Sequence, residues 1–183
     1  MLYLNKTQTD KAKDKLTSQT EEWINMINKQ VEEEIGFYEQ QAESQLEALK
    51  KVMDTAHGGQ IKEVAARHDK EKIEITKKQT KQSMDSAKAL ALDKSIQSKE
   101  ERDRRQRELD KQNLDQFVDE RQKLSNRQER ELEELKSQHK EEKKNLEVEF
   151  QKIMSENMDE IKTNGEKSRK AIHTAFQTIL PTH

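Results

Sequence analysis

From Trp23 onward the apolar residues fall at steps of four and three: Trp23, Ile27, Val31, Ile35, Tyr38, Ala42, Leu46, Leu49, Met53 and Ala56. Such steps place a single narrow stripe along a helix, close to the roughly 3.5–3.67 residue repeat of coiled coils. A strand would need alternation with period two. A second seam runs through Phe117, Leu124, Leu132, Leu135, Leu146, Phe150, Ile153 and Ile161, with Gln128 and His139 on polar rungs. A short third stripe is Ile172, Phe176 and Ile179. No repeat of fixed period stands out beyond these steps. The two long seams are the candidate self-association surface, centred on Ile27, Val31, Ile35, Leu46, Leu49 and Met53 in the first and Leu124, Leu132, Leu135 and Leu146 in the second. Trp23, Phe37 and Tyr38 form the main aromatic cluster; packing between helices is the preferred reading and an exposed anchor for a partner is the alternative.

Composition selects helices over disorder. Of 183 residues only 30% are hydrophobic and 39% are charged, and mean hydropathy is -1.28. That is too little apolar material for a round core. Disordered chains are rich in Pro and Gly and carry a large net charge. This chain has four Gly, one Pro and a net charge of -2, and strong helix formers dominate it. The expected fold is all-α: a long, elongated antiparallel coiled-coil hairpin or bundle.

Start and stop signals set the expected boundaries. Ser18-Gln19-Thr20-Glu21 and Ser98-Lys99-Glu100-Glu101 read as capping boxes. Asn164-Gly165 reads as a helix stop, and Pro181 ends the last helix. Gly58-Gly59 is either a hairpin turn or an irregularity inside one long helix, and the second is preferred. A single elongated domain over 1–183 follows: a helix of about 18–92 with an irregularity at 57–60, a helix of about 99–163, and a short helix of about 166–180. Matched long helices joined by a short stretch fold back as an antiparallel hairpin.

Charge is segregated although the total is near zero. Lys77 to Arg107 holds ten basic and five acidic residues, whereas Glu21 to Asp54 holds three basic and nine acidic. Lys70, Lys77, Lys81 and Lys88 share one helix face, and Lys72 and Lys78 belong to the same basic set. The functional reading is a face for an anionic membrane surface or a protein partner. The plain alternative is a solvated face laced with i,i+4 ion pairs such as Lys70–Glu74.

Other chemistries lack their residues. There is no cysteine, so disulfides, thiolate catalysis and thiolate zinc sites fall away. Among His57, His68, His139, His173 and His183 no i,i+4 pair for zinc occurs. No glycine-rich phosphate loop is present, and a thin helical rod offers little interior to shift a catalytic pKa. Arg102, Arg104, Arg105 and Arg107 are interleaved with acids and lack the aromatics that stack on bases, which argues against nucleic acid. No catalytic residue, cofactor or metal is expected. No window approaches a membrane span and the first residues lack a signal-peptide core, so an intracellular, cytoplasmic protein is expected.

Three stretches carry a family resemblance: residues 45–51 (QLEALKK), 71–84 (EKIEITKKQTKQSM) and 120–141 (ERQKLSNRQERELEELKSQHKE). In order and spacing they resemble the C-terminal coiled-coil domain of phospholipase C-beta enzymes, over roughly 45–150. The resemblance implies a long antiparallel helical bundle that binds activated Gq-type G-protein α subunits, associates with membrane through basic residues, and dimerises. It also implies that the catalytic barrel lies elsewhere, that this chain is not an enzyme on its own, and that it works in phosphoinositide signalling at the inner face of the plasma membrane. The matched basic positions are Lys72, Lys77, Lys78 and Lys81. The rival reading is a structural coiled-coil rod or scaffold acting by self-association.

Overall fold

The computed structural model describes residues 2–179. Two helices account for nearly all of them: α1, Leu2–Leu92, and α2, Lys99–Ile179. No strand occurs among the described residues. The helices pair antiparallel as a hairpin. Pro181 and His183 lie outside the described residues.

The connection between the helices is built by polar side chains. Asp93 Oδ1 accepts from the Ser95 amide at 2.9 Å and from Ser95 Oγ at 2.6 Å. These bonds, the side-chain one first, hold the Asp93 carboxyl below its ordinary range. Arg102 reaches back from α2 and donates to the carbonyls of Ala91, Asp93 and Ile96. It thereby satisfies acceptors that the end of α1 would otherwise leave orphaned. Ile96 is buried beneath the turn. Helix α2 then starts at Lys99, one residue after Ser98.

Several expected boundaries are not where the sequence placed them. Helix α1 begins at Leu2 rather than near residue 18, so the Ser18 capping box is helix interior. The threonines that would favour a loop are absorbed: Thr7, Thr9, Thr17 and Thr20 each bond the carbonyl four residues earlier. Gly58-Gly59 is neither turn nor irregularity, and α1 runs through it with no positive φ at either residue. Breaking the helix there would strand backbone donors and acceptors on both sides, a larger cost than about 1 kcal/mol per glycine. Gly165 does not stop α2, which continues to Ile179.

Tertiary contacts divide the chain into two compact units: Met1–Lys51 with Lys144–His183, and Val52–Lys143. In the first, Asn28 Oδ1 accepts from Arg169 at 2.6 Å, Tyr38 OH accepts from Asn157 at 2.7 Å, and Lys50 pairs with Glu147 at 2.5 Å. Ala42 is buried, and so is Gly165, whose missing side chain lets Val31 approach closely. In the second, Asp54 pairs with Lys143, His57 with Glu142, His68 with Glu131 and Gln79 with Glu120. Within each unit the partner numbers add to nearly the same total, which is the mark of one antiparallel register.

Burial reveals a fixed repeat that the residue types conceal. In α1 the shielded positions recur every eleven residues, as in Ile24, Ile35, Leu46, His57, His68, Gln79 and Leu90. In α2 they recur as Phe117, Gln128, His139, Phe150, Ile161 and Ile172. Eleven residues make three turns at about 3.67 residues per turn. Five of the seven rungs named in the second unit are polar, which is why apolar residues alone did not show the repeat.

Two packing expectations also change. Trp23 is 59% exposed, at the edge of a hollow it shares with Ile172 and Phe176 of α2, and Phe37 is 62% exposed, so neither is buried between the helices. Tyr38 alone of the three is half-buried.

Candidate functional site

Lys70, Lys77, Lys81 and Lys88 project from the side of α1 facing away from the shielded rungs Ile75, Gln79 and Ser86. All six candidate lysines, including Lys72 and Lys78, are exposed. None of them closes an ion pair among the described residues, and the expected Lys70–Glu74 pair is absent. Two large apolar side chains stand among them in solvent: Ile73 is 55% exposed and Met84 is 57% exposed. Lys77, Lys81 and Lys88 line a shallow hollow on this face with Thr76, Thr80, Met84 and one acid, Asp85.

Three cations of α2 at the same level are engaged within the hairpin. Arg127 pairs with Glu71 at 3.1 Å, Lys123 with Asp119 at 2.7 Å, and Arg121 Nε donates to Gln79 Oε1 at 2.7 Å. The Asp119 hydrogen bond raises the Lys123 pKa. Farther along α2, Arg104 and Arg105 pair with Glu101, and Glu131 takes Arg67 of α1. The contrast is chemical: Lys70, Lys77, Lys81 and Lys88 of α1 stand without an ion pair around an apolar strip, while Arg121, Lys123 and Arg127 of α2 are already engaged. A surface of the first kind attracts anions by charge and holds amphiphiles by burial.

Lys72 and Lys78 occupy the two flanks. Lys72 borders a groove floored by Ile75 and Leu124 and rimmed by Arg121. Lys78 borders the opposite groove with Glu120, Lys123 and Arg127. Glu120 titrates below its ordinary range because the Gln116 and Gln79 amides donate to it, with Lys78 adding a smaller attraction.

The seam residues assigned to self-association find partners inside the chain. Ile27, Val31, Ile35, Leu46 and Met53 of α1, and Leu124, Leu132, Leu135 and Leu146 of α2, are half-buried, while Leu49 is exposed.

Sequence reasoning placed Gln128 and His139 on rungs of the second seam but missed the rest of the polar interior of the second unit. His57, His68, Gln79, Asn113, Gln128 and His139 are all buried. Gln128 donates to the His68 carbonyl at 3.0 Å and to Glu71 at 2.9 Å. That bond, with Arg127 nearby, holds Glu71 below the ordinary carboxylate range. Gln79 donates to the Phe117 carbonyl and to Glu120, each at 3.1 Å. The His57 and His139 rings stack with centroids 3.7 Å apart. The available signal was the eleven-residue spacing of His57, His68 and Gln79. No group of residues suited to a metal ion occurs among the described residues, and no helix there is long and apolar enough to cross a membrane.

No family model matches the chain. The chain is 42% identical over 88 residues to human 1-phosphatidylinositol 4,5-bisphosphate phosphodiesterase beta-4, a match covering 48% of this chain and 8% of that protein. It is 33% identical over 109 residues to the Caenorhabditis elegans enzyme of the same class, beta egl-8, covering 60% of this chain and 8% of the relative. The chain thus spans less than a tenth of the length of these relatives. Among solved structures, a complex of INAD PDZ45 and NORPA CC-PBM matches with TM-score 0.59 and 28% identity, over 93% of this chain and 71% of that one. The C-terminal coiled coil domain of Drosophila phospholipase C beta NORPA matches with TM-score 0.60 and 30% identity, over 82% of this chain and 74% of that domain. What the chain matches is therefore the non-catalytic coiled-coil region of these enzymes. On this likeness of sequence and fold together, the chain belongs to the phospholipase C-beta family, as a C-terminal coiled-coil domain.

Proposed function

We propose that this chain is the regulatory coiled-coil module of a phosphoinositide-cleaving phospholipase, docking on the anionic inner face of the plasma membrane and on an activated Gq-type α subunit. The observation that carries the reading is the unpaired lysine face of α1, with Ile73 and Met84 exposed among Lys70, Lys77, Lys81 and Lys88. Each lysine near an anionic leaflet contributes about 1 kcal/mol, so the four together favour the surface by roughly a thousandfold. Because the charges are exposed, salt weakens this attraction. The relative solved as a complex of INAD PDZ45 and NORPA CC-PBM supports protein docking as a use of this class of coiled coil. Dimerisation belongs to the same proposal, through surfaces outside the internally satisfied seam.

The test has two arms. Co-sedimentation with phosphatidylcholine vesicles, with and without phosphatidylserine, should show binding only to the anionic ones, lost at high salt and in a variant with Lys70, Lys77, Lys81 and Lys88 changed to Glu. Calorimetry against activated and inactive Gq-type α subunit should show binding to the activated form alone. A chain that binds neither, yet self-associates, is a structural rod.

A further inference from the structure

We propose that the stacked pair His57 and His139 is a proton-sensitive latch, holding the two helices of the second unit together at neutral pH and releasing them on acidification. The rings come one from each helix, with centroids 3.7 Å apart and planes within 6° of parallel. Both residues are buried. Their Nε2 atoms are already committed. His57 Nε2 lies 2.6 Å from Glu142 Oε2; an ionised carboxylate only accepts, so this nitrogen carries hydrogen. His139 Nε2 lies 2.6 Å from Gln60 Oε1 and donates to that amide oxygen. In each neutral ring the bare nitrogen is therefore Nδ1. His57 Nδ1 is buried and has no hydrogen-bond partner.

The pair accommodates one added proton and not two. Glu142 offsets a first charge. Among the described residues no second carboxylate bonds either ring: His139 meets His57 and Gln60 from α1, and Asp54, one turn before His57, is held by Lys143 of α2. Two imidazolium rings in face-to-face contact repel strongly where water does not screen them. Separated helices hold the two rings apart in water, so charging both favours separation over the range of roughly pH 5 to 8 in which imidazole takes up its proton. Linkage then favours separation as pH falls, by up to about tenfold in the open-to-closed ratio per pH unit for one proton of difference. Gly58 and Gly59, directly after His57, give an opened segment little helical propensity of its own. His68 supplies the internal contrast. It has no stacked partner, and its Nε2 sits 2.9 Å from Glu131, which also pairs with Arg67, so a proton there meets a carboxylate. This device does not depend on the membrane or G-protein reading.

Amide hydrogen exchange on the full chain tests it, at about pH 7.5 and about pH 5.5 with intrinsic rates corrected. Opening of residues 53–62 and 135–143 should rise about tenfold or more at the lower pH. His139→Gln should abolish that rise, and His68→Gln should leave it in place. An equal acid-induced rise in His139→Gln and in the unsubstituted chain overturns the latch. Should His139→Gln not be helical at neutral pH, imidazole titration by NMR on the unsubstituted chain decides. Uptake of one proton by the pair while the helices stay closed supports the proposal. Two full, independent titrations in the closed state overturn it.

Discussion

Substituting Gly165 by alanine should destabilise the chain, although alanine is the better helix former. A Cβ built at Gly165 would lie 2.6 Å from Val31 Cγ2 and 3.8 Å from the Val31 Cβ and Cγ1. The first distance is 0.8 Å short of the 3.4 Å at which such a contact becomes ordinary. Val31 cannot swing aside easily, because a β-branched side chain in a helix has one strongly preferred rotamer. The helices of the first unit must separate locally instead. Overpacking of this kind costs about 1–3 kcal/mol, against a helix-propensity gain of about 1 kcal/mol. The expected net loss is roughly 1 kcal/mol. At Gly59 the same substitution meets no atom within 4 Å, so the propensity gain stands alone and Gly59→Ala should stabilise by about 0.5–1 kcal/mol. Urea denaturation followed by helical circular dichroism separates the two, as opposite shifts in midpoint at constant slope. The double variant Val31→Ala with Gly165→Ala should show favourable coupling, because the clashing methyl groups are gone. Equal stabilisation by Gly165→Ala and Gly59→Ala would refute the close approach, and with it the register of the first unit.

Two further outcomes follow from the polar interior. Gln79 is 2% exposed and bridges Phe117, Glu120 and Arg121, so Gln79→Ala should lose about 1–3 kcal/mol in the same urea assay. Gln79→Leu should lose less, because it refills the volume and leaves Glu120 and Arg121 on the accessible edge. Acid should weaken the hairpin a second time, below the histidine range. Glu71 and Glu120 have folded-state pKa values depressed from the ordinary 4.5, by Gln128 and by Gln116 with Gln79 respectively. Their contribution is complete above about pH 4.5 and disappears as pH falls through the depressed values. Gln128→Leu should remove the Glu71 part, which thermal melts across that acid range would report.

The helical class of this chain was legible from its residues, because steps of three and four in a chain that is 39% charged leave no other way to bury so thin a stripe. The start of the second helix was legible too: the Ser98 signal stands one residue before Lys99, where α2 begins, because capping chemistry acts over a few residues. The lysine face was visible as spacing, since helical periodicity alone puts Lys70, Lys77, Lys81 and Lys88 together. Their freedom from ion pairs was not, because Glu74 is equally well placed in sequence and only packing shows that α1 leaves these charges unpaired. Glycine was the least legible residue. Gly58, Gly59 and Gly165 look alike in a sequence, yet the first two are tolerated inside a helix held by its partner, and the third is required by a contact with Val31, 134 positions away. The same holds for the histidines. His57 and His139 are ordinary rungs of their own helices, and only the antiparallel register stacks one ring on the other. Local propensity and periodicity act through neighbours along the chain. The close approach at Gly165 and the His57–His139 stack depend on which residues meet across it, which the tertiary fold alone decides.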